Sequence, residues 1–497
     1  MAAPRALVLI TIDCWRADHA GFLGYARPTT PFLDSLASRS FVFQNAVATG
    51  IPTYYSLPAI LASRYPLAPG RDLLGLAPGE STIASVLQES GFATAAFTAA
   101  NPYLSARFGY DRGFDVFRDF LDSRALEFTS EQGSAPEARS PSKANRLLSQ
   151  ACHRVAPLGA AYEELYFRYC QKLSDGKKES MDALRKFPSA DQIVDHAIAW
   201  LNENSGGPFF LWLHLMDPHA PYYPKPEALE LMGDGQVNAS DARYLNSYWG
   251  RGDLSAKRLQ KKRQEVVALY DAGVRWADEQ IRRLTETLVD LNLWDKCALA
   301  VTADHGEEFL DHDGRFHPPL QLSEELVHVP LLLRVPEFQQ GGKIAQPLSL
   351  IDLAPTLLDI AEVPSPADFR GRSCWSYVAE NRPWDRTVVT ECVHGCTNPY
   401  RRENRIGPRL LAVRKGSHKL VVDFSSGKEH LFDLKSDPQE KSPLLLDAAK
   451  PIRRTLLESA RKHVAESQKS RDFERRLSTQ VRELRLDWAH SAGNALN

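Results

Sequence analysis

The run ALVLITI at Ala6–Ile12 is apolar without alternation and stops directly on Asp13. A strand that is apolar at every position is buried on both faces, which is the mark of a parallel sheet covered by helices on each side. A carboxylate at the end of such a strand is costly unless it is paired or bound to a cation. The feature sets two expectations together. The core is α/β, and its chemistry lies at the carboxyl ends of the strands, where open α/β sheets gather their functional groups.

The same theme recurs along the chain. Predicted strands are Ala6–Asp13, Ala93–Ala99, Phe209–Leu215, Ala298–Asp304 and Val329–Val335. They alternate with predicted helices Pro31–Arg39, Ile83–Ser90, Asp191–Glu203, Gln264–Val289 and Leu353–Ile360. The pattern implies a large, mostly parallel sheet sandwiched by helices, with a small C-terminal α+β subdomain. The 497 residues divide into a core over 1–383, a subdomain over 384–445 and a charged, helical tail over 446–497. A polar stretch containing SEQGSAPEARSPSKAN marks an insertion over 119–190.

Composition narrows the partners. Sixty Lys and Arg against sixty-two Asp and Glu give a net charge of −2, without the basic footprint of a nucleic-acid or anionic-lipid binder. No run approaches the ~18 apolar residues of a membrane helix. Ala6–Ile12 is too short for a span and lacks a small-residue cleavage site, so a cytoplasmic location is expected. Seven scattered cysteines argue against a disulfide framework. Cys392 and Cys396, which flank His394, are expected to be free thiols. No partner is expected for His153, His196, His463 or His490, and His328 is expected to cap a strand.

Four stretches meet at strand ends. TIDCWRADHAGFLGY carries Asp13; LHLMDPHAPYYP carries His214, Asp217 and His219; VTADHGEEFLDHDGRFHPP carries Asp304, His305, His312 and His317. The fourth, ATGIPTYYSLPAILASRYP, carries Thr53 just before a predicted helix over Tyr54–Leu61 and Ser56 near that helix's start. An Asp-His pair with a distant Asp offers the oxygen and nitrogen donors that suit one divalent ion: Zn²⁺, Mn²⁺, Mg²⁺ or Ca²⁺. Asp311, His312 and Asp313 offer a possible second set.

These blocks resemble the sulfatase branch of the alkaline phosphatase superfamily. DCWRADHAGFLGY is similar to the family's opening motif, through Asp13, Arg16, Asp18, Gly21 and Gly24. TTPFLDSLASRSFVFQNAVA, MDPHAPYYP, YDAGVRWADEQI, TADHGEEF, HVPLLLRVP and IDLAPTLLDIAEVPSPADFRGRS follow in the family's order. AVRKGSHKLV and HLFDLKSDPQEKSPL resemble its C-terminal subdomain. The resemblance runs from residue 6 to about residue 445, with the 119–190 insertion and parts of 225–262 unmatched, and leaves the tail outside.

The resemblance implies a metal-dependent hydrolase of an anionic ester. Most sulfatases place Cys-x-Pro-x-Arg at the nucleophile loop and convert that cysteine to formylglycine. Counting back from SRYP, the family's spacing falls on Thr53; a Ser-x-Pro-x-Arg register on Ser56 fails because Ile60 stands where the arginine belongs. Threonine cannot become formylglycine, since its β-carbon already bears a methyl group. Threonine at this slot is the pattern of the superfamily's phosphodiesterases and phospho-transferases. The implied metal ligands are Asp13, Asp304, His305 and the Thr53 oxygen. His219 and His317 are implied to meet the ester oxygens or the leaving group, with His214, Ser56 and Asn101 on the substrate side. Cys14 stands where many relatives carry a second polar ligand, which tilts the expected ion toward Zn²⁺ or Mn²⁺. The implied substrate is a small-molecule, glycan or lipid anionic ester. The favoured activity is on a phosphate mono- or diester; a sulfatase working without formylglycine and a catalytically silent binder are the alternatives.

Overall fold

The computed structural model describes residues 4–69, 73–121, 164–165, 167–169, 180–234, 237–338, 340–446 and 449–468. Most of the predicted insertion over 119–190, His153, His490 and the tail beyond residue 468 lie outside them. Three strands form the spine: β1 (Ala6–Ile12), β5 (Phe209–Leu215) and β6 (Cys297–Ala303), each buried at every position. Flanking them are β2 (Phe41–Val47), β3 (Ala93–Thr98), β4 (Val116–Arg118), β9 (His328–Arg334), β10 (Gly342–Ile344) and β11 (Leu348–Ser349), while β7 (Glu308–Phe309) and β8 (Arg315–Phe316) form a separate antiparallel pair. The nine-stranded sheet runs β10-β2-β9-β6-β1-β5-β3-β4, with β11 also on β2. All pairings are parallel except those of β9 with β6 and with β2. The expected mostly parallel α/β sheet is therefore observed. Each predicted strand lies within one residue of an observed one.

The covering helices are α1 (Pro31–Ala37), α2 (Thr53–Ala62), α3 (Ile83–Glu89), α4 (Ala190–Asn204), α5 (Arg263–Asp290) and α6 (Leu353–Ile360). α5 is amphipathic along 28 residues, with Val266, Leu269, Ala277, Ile281, Leu284 and Leu288 turned to the core. α2 differs, since all ten of its residues are buried. A helix apolar all round sits inside a protein rather than on it.

β2 was not among the expected strands. Its sequence, FVFQNAV, is interrupted by the polar pair Gln44 and Asn45, and a bulge between Phe43 and Ala46 breaks the period that a reader of sequence relies on. β2 matters because it delivers the chain to the loop before α2.

Beyond residue 383, β12 (Thr387–Val393), β13 (Arg409–Lys415), β14 (His418–Asp423) and β15 (Lys428–Asp433) form an antiparallel meander. One face packs on the region of α2: Val388, Cys392 and Leu410 share a cluster with Ile51, Tyr54 and Tyr55. Thr390 donates to Ala48 O at 2.6 Å. The other face is covered by a helix over 450–468, whose Leu456 and Ala460 meet Leu411, Leu420 and Leu431. His463 on that helix is not partnerless as expected. It is buried and pairs with Glu391 at 2.9 Å, because the helix lies on the sheet rather than in solvent. His196 also has a neighbour, Arg118 Nη1 at 3.2 Å. His328 opens β9 and bonds Gln44 O at 2.9 Å. Among the described residues, the cysteines are free and no helix is long and apolar enough to cross a membrane.

Candidate active site

Register assembles the site. Ile12 faces Leu215 of β5 on one side and Ala303 of β6 on the other. The next residues are Asp13 and Asp304, so two carboxylates leave the sheet side by side, both wholly buried. His305 follows at once. A Cβ at Gly306 would lie 2.0 Å from Glu325 O, so only glycine lets this turn press against the segment leading into β9.

The third element is the start of α2. Thr53 is the helix's first residue rather than its cap, and Pro52 before it brings no capping side chain. The first N–H groups of a helix so begun are open to an anion. Thr53 Oγ1 lies 3.2 Å from Asp13 Oδ2 and 3.2 Å from His305 Nε2. His305 Nδ1 donates to Gly306 O at 2.8 Å. A carbonyl only accepts, so this contact fixes the tautomer and leaves Nε2 a lone pair. That nitrogen is 3.5 Å from Asp304 Oδ2 and 3.7 Å from Asp13 Oδ1.

Burial penalises both carboxylates. The nearby imidazoles of His219, His214 and His305 nonetheless hold Asp13 well below the usual carboxylate range. Asp304 is pushed up, by burial first and by the charge of Asp13 second. Two acids, a ring nitrogen and a hydroxyl thus converge where one carboxylate already resists the other. A divalent cation with oxygen and nitrogen ligands fits that set and would relieve the repulsion.

Outward from this cradle stand two more imidazoles. His219 Nδ1 donates to Ala220 O at 2.5 Å, and His317 Nδ1 to Glu307 Oε2 at 2.9 Å. Their rings are 5.0 Å apart. Both line a cavity of about 390 Å³ together with Thr53 and Asn101. Asn101 Nδ2 also reaches Asp13 Oδ2 at 3.2 Å.

Two expected substrate-side groups are elsewhere. His214 is fully buried on β5, bonded to Thr11 at 2.9 Å and to Asp13 Oδ2 at 3.3 Å. It supports Asp13 from within the sheet. Ser56 lies one turn into α2, where its hydroxyl donates to Asp304 Oδ2 at 3.2 Å, so it positions a carboxylate. Asp217 turns away as well and accepts from Ala190 N at 2.9 Å, at the start of α4. Of the second set, Asp311 is taken by Arg16 at 2.7 Å and Arg263 at 3.0 Å, while His312 lies 2.6 Å from Glu325 and, with Glu308, forms a group close enough to share an ion.

Cys14 has a left-handed backbone (φ 62°) that places Sγ 3.0 Å from Asp13 Oδ1 and 3.3 Å from His317 Nδ1. Burial, then the charges of Asp13, Glu307 and Asp304, push its thiol well up. Cys14, His219 and His317 are close enough to share an ion, but the nitrogen His317 would offer is the one it gives to Glu307. Glu307 is the residue that sequence reasoning passed over. Burial opposes its charge, yet His317 holds it below its ordinary value, and Tyr222 donates to it at 3.0 Å. Its signal was its place immediately after Asp-His-Gly.

Comparison with known proteins follows the same outline. A family profile described as Sulfatase matches residues 5–363, and one described as N-sulphoglucosamine sulphohydrolase, C-terminal, matches 312–468. Arylsulfatase K of Bos taurus is 28% identical over 287 residues, covering 50% of this chain and 50% of that protein. The chain thus spans about half the length of such curated relatives. Among solved structures, a protein in complex with its substrate D-glucosamine-2-N,6-O-disulfate superposes with a TM-score of 0.68 at 17% identity, over 94% of this chain and 98% of that one. The phosphonate monoester hydrolase from Silicibacter pomeroyi gives 0.64 at 19% identity, over 94% and 95%.

Proposed function

This chain belongs to the sulfatase family, and we propose that it hydrolyses an anionic phosphorus ester through a covalent intermediate on Thr53. The observation that carries the proposal is the hydroxyl at the first turn of a buried helix, 3.2 Å from both Asp13 and His305. A threonine ester must be cleaved by attack at the central atom. Phosphorus accepts that attack readily, whereas a sulfate ester resists it.

A divalent cation held by Asp13, Asp304 and His305 would lower the pKa of the hydroxyl and take up charge from the ester oxygens. The chain's own groups do the rest. Thr53 Oγ attacks in line and its proton passes to the neighbouring carboxylate oxygen, Asp13 Oδ2. The ester bond to the alcohol breaks as the Oγ–P bond forms. His219 and His317, with Nδ1 anchored, would in their doubly protonated form offer Nε2–H to the non-bridging oxygens or give that proton to the departing alcohol. Water then cleaves the Oγ–P bond and frees Thr53.

The test is a set of matched aryl esters, namely phosphate diester, phosphonate monoester and sulfate, assayed with Zn²⁺, Mn²⁺, Mg²⁺ and Ca²⁺. The phosphorus esters should be the faster substrates. A faster sulfate ester would return the chain to sulfatase chemistry without formylglycine, and the relatives named sulfatase make that the competing outcome.

His317→Ala should lower kcat by roughly 10²-fold while metal content stays at the wild-type value. Elemental analysis beside steady-state rates separates the two effects. Loss of metal in this variant would place His317 among the ligands instead.

A further inference from the structure

We infer that Arg315 selects substrates by charge: its guanidinium receives a second oxyanion, a carboxylate or a phosphate carried by the alcohol part of the ester. The inference rests on the proposed hydrolase reading in taking Thr53 as the reacting end of the cavity. The group under attack is met there by Thr53, His219 and His317, and Arg315 is a further positive charge on the same wall.

The guanidinium is held in place from one side. Arg315 lies in β8, with its backbone opposite Phe309 of β7. Its Nη1 donates to the carbonyls of Trp249 and of Arg251, the latter at 3.0 Å, where the helix Ala239–Trp249 ends. Carbonyls left over at the carboxyl end of a helix favour a cation, so the head is fixed before any ligand arrives. Nε and Nη2 make no hydrogen bond among the described residues, and neither is among the buried atoms sealed without a partner. Both remain open to a ligand. Two N–H groups along one edge of a guanidinium match two oxygens of a carboxylate or a phosphate.

No counter-charge answers this arginine. Among the described residues no aspartate or glutamate lines the cavity, and none pairs with Arg315. The neighbouring Arg251, by contrast, is met by Asp253 at 2.6 Å and Glu164 at 3.2 Å. Burial lowers the pKa of Arg315 with no carboxylate present to raise it, and a bound anion would supply what is missing. Another part of the cavity wall is aromatic. Tyr103 stacks on Tyr400 with centroids 5.3 Å apart and meets Tyr54 edge-on at 5.0 Å. Beside such a wall an ion pair is less screened than in open water.

Calorimetry on the purified, Mn²⁺-loaded protein tests this with three phosphonates that have no ester to hydrolyse. Two carry a second oxyanion, 3-phosphonopropionate and propane-1,3-bisphosphonate; the third, 3-phosphonopropionamide, has a neutral far end. The favoured one of the two charged probes should bind about tenfold more tightly than the amide, and it names the oxyanion. Arg315→Gln should bring that ratio to about one, and Arg315→Lys, which keeps the charge and loses the fork, should keep part of it. A wild type that binds neither charged probe more tightly than the amide would overturn the inference with no variant needed. A ratio that survives in Arg315→Gln would overturn it too, because the extra anion would then be held elsewhere, as by the metal ion. If the wild type shows the ratio yet turns over no ester, the proposed function falls and the Arg315 subsite stands.

Discussion

Thr53→Ala is expected to lower turnover by ~10³-fold or more, the loss that follows removal of a covalent nucleophile. The variant should fold, because the change removes one methyl and one hydroxyl from the first turn of a helix held by many other buried contacts. Thr53→Ser keeps the oxygen 3.2 Å from Asp13 and His305 and should retain part of the rate. Ser56→Ala should cost far less. Its hydroxyl steadies Asp304 and makes no bond to substrate in the proposed scheme. Wild-type enzyme stopped in acid while turning over a phosphodiester should carry a phosphoryl group on the peptide containing Thr53. Phosphate on Ser56 would show that the register is misassigned. An aldehyde at residue 56 would go further, since it would mean formylglycine made from serine and a return to sulfate esters.

Much of this site was legible because parallel strands place their ends together. Apolar runs marked β1, β5 and β6, and the acids that close two of them are neighbours in the folded sheet. What could not be read was direction. His214 alternates with residues of β5 and so lies within the sheet, behind Asp13, whereas His219 sits past the strand end and reaches the cavity. Sequence spacing alone does not separate the two. Ser56, three residues after Thr53, shares its helix face, but one turn further along that face its hydroxyl meets Asp304 rather than the cavity. β2 escaped notice because its bulge spoils the alternation. The aromatic wall was invisible for another reason: Tyr54, Tyr103 and Tyr400 are distant in sequence and become one surface only when the C-terminal sheet packs beside α2.

The double variant Asp304→Asn with His305→Ala should yield metal-free protein by elemental analysis and no detectable hydrolysis. The reasoning is electrostatic. In the metal-free protein Asp304 is pushed up by burial and by the charge of Asp13, so the pair is held together at a cost that a bound cation removes. A ligand that binds only the folded state adds stability that grows with the logarithm of its concentration relative to Kd, about 4 kcal/mol at a thousand times Kd. A chelator should therefore lower the Tm of the wild type clearly and leave the double variant unmoved. His305→Ala also empties a fully buried site and removes the bond to Gly306 O, so the double variant should melt below the wild type in either case. The response to chelator is therefore the result that separates a metal site from a merely structural pair. If Asp304 and His305 only braced the strand ends, chelator would leave the wild-type Tm unmoved as well. Full metal content and full activity in the double variant would remove Asp304 and His305 from the site altogether.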